Sequence, residues 1–288
     1  MPDLKLFTVD PQGGIATECT PTFFGREAQV QRLVEQNMET FFGIRFLASE
    51  YSTGKKHRGR IDSLGLDENN CPVIIEYKLD SKENVINQGL FYLDWLLDHR
   101  SEFQLSAPRL LCIARDFTRY DEYAIGQINR NIELIRYQLF GDQVLFELAK
   151  TVAGDSPAPQ TGNGEQRTGK NNYRTMPDAL ESASPQLLDL LQVIDTYLTG
   201  LGDDVQSKQL KYYRAYRRLK NFVCLEIKTR ESRAVLYCKA TLPNEMPPYM
   251  RDVSNIGHYG TGDMELTVGS VEELELVKPY LMESYEIS

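Results

Sequence analysis

The chain has 288 residues, 41% hydrophobic and 25% charged, a globular balance that fits one large domain or two ordinary ones. Its formal net charge of −9 excludes a surface that is basic throughout, the usual footprint of a protein that grips long duplex DNA. No apolar run reaches the length of a membrane span, Met1-Pro2-Asp3-Leu4-Lys5 lacks a signal-peptide pattern, and Cys19, Cys71, Cys112, Cys224 and Cys238 show no C-x-x-C spacing, so the expectation is a cytoplasmic protein with buried, reduced thiols.

In chain order, Val30, Leu33, Val34, Met38, Phe41 and Phe42 recur at helical spacing and predict a helix over 26–42, stopped by Gly43. Strands are predicted near 44–50, 60–66 and 72–79, with Asp67-Glu68-Asn69-Asn70 as the turn between the last two. A second helix spans 81–99, with Val85, Leu90, Leu93, Leu96 and Leu97 as its apolar stripe. A short buried strand at 109–114, a helix at 120–131 and strands at 132–137 and 143–148 complete an α/β domain around a mixed sheet, residues 1–152. Residues 153–184 are rich in Gly, Pro, Asn and Gln and read as a flexible linker. Beyond it come an amphipathic helix at 185–198 and a basic one at 205–220. Strands at 221–228, 233–240 and 264–268 follow, and the capping box Ser270-Val271-Glu272-Glu273 opens a last helix to about 285. Residues 185–288 thus form a smaller α+β domain.

Chemistry concentrates at Glu76-Tyr77-Lys78. Alternate strand residues share a face, so Glu76 and Lys78 present a carboxylate and an ammonium together, and Asp62 on the preceding strand could add a second carboxylate. Two carboxylates can hold a hard divalent cation, and a neighbouring lysine can orient a water or neutralise a phosphate oxygen, the set that phosphodiester chemistry requires. The run Ser52-Thr53-Gly54-Lys55-Lys56-His57-Arg58-Gly59-Arg60 enters the Asp62 strand directly. Lys55, Lys56, Arg58 and Arg60 either hold phosphates beside the site or form a solvated basic loop.

The stretch Gly59-Arg60-Ile61-Asp62, followed by Pro72-Val73-Ile74-Ile75-Glu76-Tyr77-Lys78, resembles the core of the PD-(D/E)xK nuclease superfamily, in the branch of NucS-type and tRNA-endonuclease-like folds. The resemblance covers roughly residues 20–150 and implies a restriction-endonuclease-like mixed sheet flanked by helices. It implies that Asp62 and Glu76 ligate Mg2+ or Mn2+, with the carbonyl of Tyr77 as a further ligand, while Lys78 positions the attacking water. The spacing of Gln88 and Tyr92, which share a helix face, is similar to that of RecB-like nucleases, where such a pair supports the site and its nucleic acid. Glu27 matches the helix glutamate that these enzymes add to the metal site, with Glu35 as runner-up and Glu39 as a third candidate.

The C-terminal part resembles a small domain of unknown function, DUF5655, through Leu201-Gly202-Asp203-Asp204, Lys211-Tyr212-Tyr213, and the run from Arg251 to Asp263 that contains His258, Gly260 and Gly262. Lys208, Lys211, Arg214, Arg217, Arg218 and Lys220, interleaved with Tyr212, Tyr213, Tyr216 and Phe222, either bind phosphates and stack on bases or pack their aromatics while the cations stay solvated. His258 either lines a ligand pocket or sits in a turn cluster. The leading expectation is a metal-dependent nuclease, on DNA more than RNA, with the C-terminal domain recognising substrate, a protein partner or a second copy. The alternative is a non-catalytic nucleic-acid-binding or assembly module that keeps the fold.

Overall fold

The computed structural model describes residues 4–68, 70–79, 85–99, 108–152, 154, 174–256, 258 and 260–288, with the backbone alone of Lys55 and Lys56. The chain divides into two compact units, Met1–Gln160 and Thr161–Ser288.

The first unit opens with strands β1 (Leu6–Val9) and β2 (Ala16–Cys19), an antiparallel hairpin forming its own two-stranded sheet, which the sequence reading does not anticipate. Helix α1 (Glu27–Phe42) follows. Its first turn is closed by the Gln29 side chain, which accepts the backbone N–H groups of Gly25 and Arg26 at 3.0 Å each. Its end is set by Gly43, left-handed at φ 64°, whose N–H reaches the Glu39 carbonyl at 2.9 Å.

Next come β3 (Arg45–Ser52), a single turn α2 (Gly54–His57), β4 (Arg60–Leu66), β5 (Pro72–Lys78), α3 (Val85–Asp98), β6 (Arg109–Ala114), α4 (Arg119–Ile125), β7 (Asn131–Phe140) and β8 (Gln143–Val152). The six strands lie in chain order, β3-β4-β5-β6-β7-β8. Pairing is parallel at β5/β6 and β6/β7 and antiparallel elsewhere. This is the expected mixed sheet flanked by helices. The expected turn residue Asn69 and the expected start of α3 at Ser81 lie outside the described residues. The helix expected over 120–131 ends at Ile125, because Asn131 already begins β7 and the chain must turn before it.

Alternation along β5 separates two cores. Ile74 packs with Leu110 and Cys112 of β6 beneath Ile86, Leu93 and Leu96 of α3. On the other face, α1 rests against the sheet at Gly65, where an added Cβ would lie 2.4 Å from Ile44 and 3.0 Å from Met38. Sandwiching the sheet in this way places the C-terminal end of β5, with Glu76 and Lys78, among the starts of α1 and α3.

In the second unit, α5 (Met176–Glu181), α6 (Pro185–Thr199) and α7 (Val271–Glu286) accompany an antiparallel sheet of β9 (Gln206–Gln209), β10 (Arg214–Arg217), β11 (Asn221–Lys228), β12 (Arg233–Cys238), β13 (Met250–Asp252) and β14 (Met264–Val268). Its strand order is β13-β14-β12-β11-β10-β9. Two expectations are corrected. Residues 174–184 are not linker: Thr175 caps α5, and Met176 and Ala179 are buried, Met176 in one core with Leu187, Ile194 and Leu236. Residues 153 and 155–173 of the expected linker lie outside the described residues. The basic helix expected over 205–220 is instead the hairpin β9–β10, and β10 pairs on its other side with β11 across a register shift between Tyr216 and Arg217.

Candidate active site

Strands β4 and β5 pair from Leu66↔Pro72 as far as Ser63↔Ile75, and there the regular ladder stops. Beyond it each strand's carboxylate takes the other's backbone donor. The N–H of Asp62 donates to Glu76 Oε1 at 3.2 Å, and the N–H of Tyr77 donates to Asp62 Oδ2 at 3.1 Å. Two acidic side chains are thus wedged between two strands, held by main chain rather than by rotamer preference alone.

Glu76 is fully buried, and its Oε2 has no hydrogen-bond partner. Burial, and then the neighbouring charge of Asp62, push its carboxyl up to about 9. Asp62 is raised too, by burial first, while the Tyr77 N–H and the Lys78 charge pull it back down. An orphaned, buried carboxylate oxygen next to a second carboxylate fits a hard divalent cation, whose charge would relieve both penalties. Among the described residues, no group of three or more His, Cys, Asp or Glu side chains is arranged to hold a metal, and Asp62 and Glu76 are the two carboxylates that could meet one here.

Lys78 reaches across to α1, with its Nζ 3.3 Å from Glu27 Oε2. Glu27 therefore meets the lysine of the site. Glu35 is placed elsewhere, accepting from Ser63 Oγ at 2.7 Å, and Ser63 in turn accepts from the Tyr77 hydroxyl at 3.1 Å. That chain locks α1 to β4 and β5 on the face opposite Glu76.

Gln88 and Tyr92 are brought together, with Gln88 Nε2 3.4 Å from the Tyr92 hydroxyl. The same hydroxyl accepts the backbone N–H of Arg60 at 3.2 Å, two residues ahead of Asp62. Close approach at this point requires Gly59: a Cβ there would fall 2.5 Å from the Tyr92 ring. The loop between β3 and β4 is tied off by Thr53, whose Oγ1 accepts the Gly59 N–H at 2.9 Å. Arg58 is exposed with a left-handed backbone, φ 53°, and Arg60 pairs with Glu50 at 2.5 Å. The side chains of Lys55 and Lys56 lie outside the described residues.

Two participants escape the sequence reading. Gln31 of α1 donates from Nε2 to the Asp62 carbonyl at 2.9 Å and to Glu35 Oε1 at 3.1 Å, pinning the aspartate's backbone to the helix. Its signal was present, one turn from Glu27 and Glu35, but a helix glutamine has no chemistry to single it out. Glu50, left-handed at φ 53°, adds a negative charge that raises Asp62 further.

In the second unit the basic, aromatic set is largely absorbed by structure. Tyr213, Tyr216 and Phe222 are buried, Arg214 pairs with Asp195 at 2.9 Å, and Arg218 pairs with Asp204 at 2.6 Å while lying over the Tyr285 ring. The His258 ring stacks on Tyr237, with centroids 4.2 Å apart, and its Nε2 is 3.0 Å from the Gly262 carbonyl, a packed turn cluster. Gly257 and Tyr259 beside it lie outside the described residues.

No family model matches the chain. An uncharacterized protein of Haemophilus influenzae is 23% identical over 297 aligned positions, spanning 95% of this chain and 97% of its own. Two solved structures are similar over part of the chain. One is an EndoMS complex with double-stranded DNA, 21% identical at TM-score 0.33, covering 40% of this chain and 46% of that one. The other is a repair endonuclease from Pyrococcus abyssi, 19% identical at TM-score 0.31, covering 41% and 49%. The chain therefore matches somewhat under half the length of either enzyme. No helix among the described residues is long and apolar enough to cross a membrane.

Proposed function

We propose that the first unit is a divalent-metal-dependent nuclease of the PD-(D/E)xK kind, hydrolysing phosphodiester bonds, of DNA before RNA. The observation that carries the reading is the exchanged pair Asp62 and Glu76, with Glu76 Oε2 buried and unpartnered and Lys78 two residues on. Asp62 and Glu76, with the Tyr77 carbonyl, would hold Mg2+ or Mn2+. When bound, such a cation supplies Lewis-acid polarisation of a phosphate oxygen and acidifies water. Lys78, ion-paired with Glu27 at 3.3 Å, can orient a water and neutralise charge gathering on phosphate oxygens. Tyr92 and Gln88 act through the backbone, fixing the entry of β4 and hence the aim of Asp62.

The test is cleavage of single-stranded, branched and mismatched DNA and of RNA, with Mg2+ or Mn2+ and with chelator. Glu76→Gln and Lys78→Ala should each lower the rate by about 10³-fold or more. Cleavage that survives both substitutions would remove the assignment. Metal binding with no turnover on any of these substrates would instead assign the unit to a non-catalytic nucleic-acid-binding role, a reading the net charge of −9 does not oppose.

A further inference from the structure

Beside the carboxylate pair lies a row of aromatic rings that the metal chemistry does not use. Phe91, Trp95 and His99 follow one another at four-residue intervals along one stripe of α3 and just past its end, next to the stripe of Gln88 and Tyr92. His99 stacks on Trp95 with centroids 4.5 Å apart, and Tyr51 of β3 lies 5.8 Å from Trp95 on another side. His57, from the turn α2, closes the row, 6.1 Å from His99 and 5.7 Å from Phe91. Trp95 is buried, whereas Phe91 is 44% exposed.

An exposed phenylalanine on a soluble helix is ordinary by itself. Phe91 differs because its neighbours hold it at the mouth of the site. Gly59 has no room for a Cβ, which would come within 3.1 Å of the Phe91 ring as well as 2.5 Å of Tyr92. The ring edge therefore borders Gly59, in the segment that leads through Arg60 to Asp62, about 10 Å further along the strand. The same segment carries the exposed cations Arg58 and Arg60. A part-exposed phenylalanine ring, a half-buried imidazole tilted against it, cations on the same segment and a candidate phosphodiester site further along it together match one ligand chemistry, a nucleotide whose base is out of its stack.

We propose that Phe91, backed by His57, is a stacking platform for one unpaired base next to the scissile phosphate, so that the site takes single-stranded or locally unpaired nucleic acid in preference to continuous duplex. This rests on the nuclease reading for its location, but its test does not need cleavage. The full-length chain, with Glu76→Gln introduced to prevent turnover, is titrated with a short single strand carrying 2-aminopurine and with the same strand in a blunt duplex. Anisotropy gives the affinity and 2-aminopurine fluorescence reports stacking. Phe91→Ala should weaken single-strand binding roughly 5- to 100-fold and abolish the quenching, with duplex affinity unchanged. Phe91→Trp should restore both, which separates a stacking role from a folding one.

Unchanged single-strand affinity and quenching in Phe91→Ala would overturn the proposal, as would equal losses on single strand and duplex. If the wild-type chain cleaves DNA while Phe91→Ala is silent, the platform falls and the nuclease reading stands. If the Phe91-dependent preference appears without any cleavage, the reverse holds. No binding to any nucleic acid would remove both.

Discussion

Glu76 is where the competing forces are sharpest. A carboxyl pushed up to about 9 binds its proton more tightly in the folded chain than in the unfolded one. Between the ordinary glutamate value near 4.5 and about 9, the folded state therefore holds more protons, and stability falls as pH rises through that window. Substituting Glu76→Gln keeps the shape and removes the titration. Thermal unfolding in chelator should show the wild-type first unit losing several degrees more than Glu76→Gln between pH 5 and pH 9. Parallel curves would mean that the carboxyl is not held in this environment. The same proton must leave for a cation to enter, so Mn2+ affinity should rise close to tenfold per pH unit across the neutral range. Calorimetry in buffers of different ionisation enthalpy would count that proton, and zero release would contradict the geometry.

At the scale of elements, positions that bury one face of a long run were legible and positions decided by neighbours were not. The apolar run Val73-Ile74-Ile75 announced β5, and a helix-stop glycine announced the end of α1. In β10 the alternation was hidden because Ala215, Tyr216 and Arg217 are all buried, on both faces, and a register shift follows, so a basic aromatic run imitated a helix. The hairpin β1–β2 was invisible because nearly all of its residues are exposed and periodicity reports burial. Helix α5 did leave a signal, Thr175 as cap and Pro177 in the first turn, masked by the linker-like composition before it. Of the candidate site, Asp62, Glu76, Lys78, Gln88 and Tyr92 were readable from type and spacing, whereas Gln31 needed the packing of α1 on β4. Two changes test these elements. Met176→Ala should destabilise the second unit by about 2–5 kcal/mol in denaturant titration, as a core truncation and not a linker change would. Gly59→Ala should cost the first unit about 1–3 kcal/mol, because the new Cβ meets the Tyr92 ring at 2.5 Å. A neutral result there would show that β4 enters by another path.

For the whole molecule, the charge distribution constrains how nucleic acid is held. A chain at −9 is not basic throughout, and Arg60 is already paired with Glu50. The loop between β3 and β4 supplies at most Lys55, Lys56, Arg58 and Arg60, and Glu27, Glu50, Asp62 and Glu76 stand close behind it. Affinity should therefore depend on salt through about four phosphate contacts or fewer. Raising salt from about 50 to 200 mM should weaken binding about a hundredfold or less, against the 10³–10⁵ expected for six to ten contacts. Because phosphate must approach a cluster of carboxylates, Mg2+ should strengthen binding where added NaCl weakens it, and Glu76→Gln should shrink that gain. A steep slope of six or more ions, or a Mg2+ effect no larger than its ionic strength, would place the nucleic acid on some other surface of the chain.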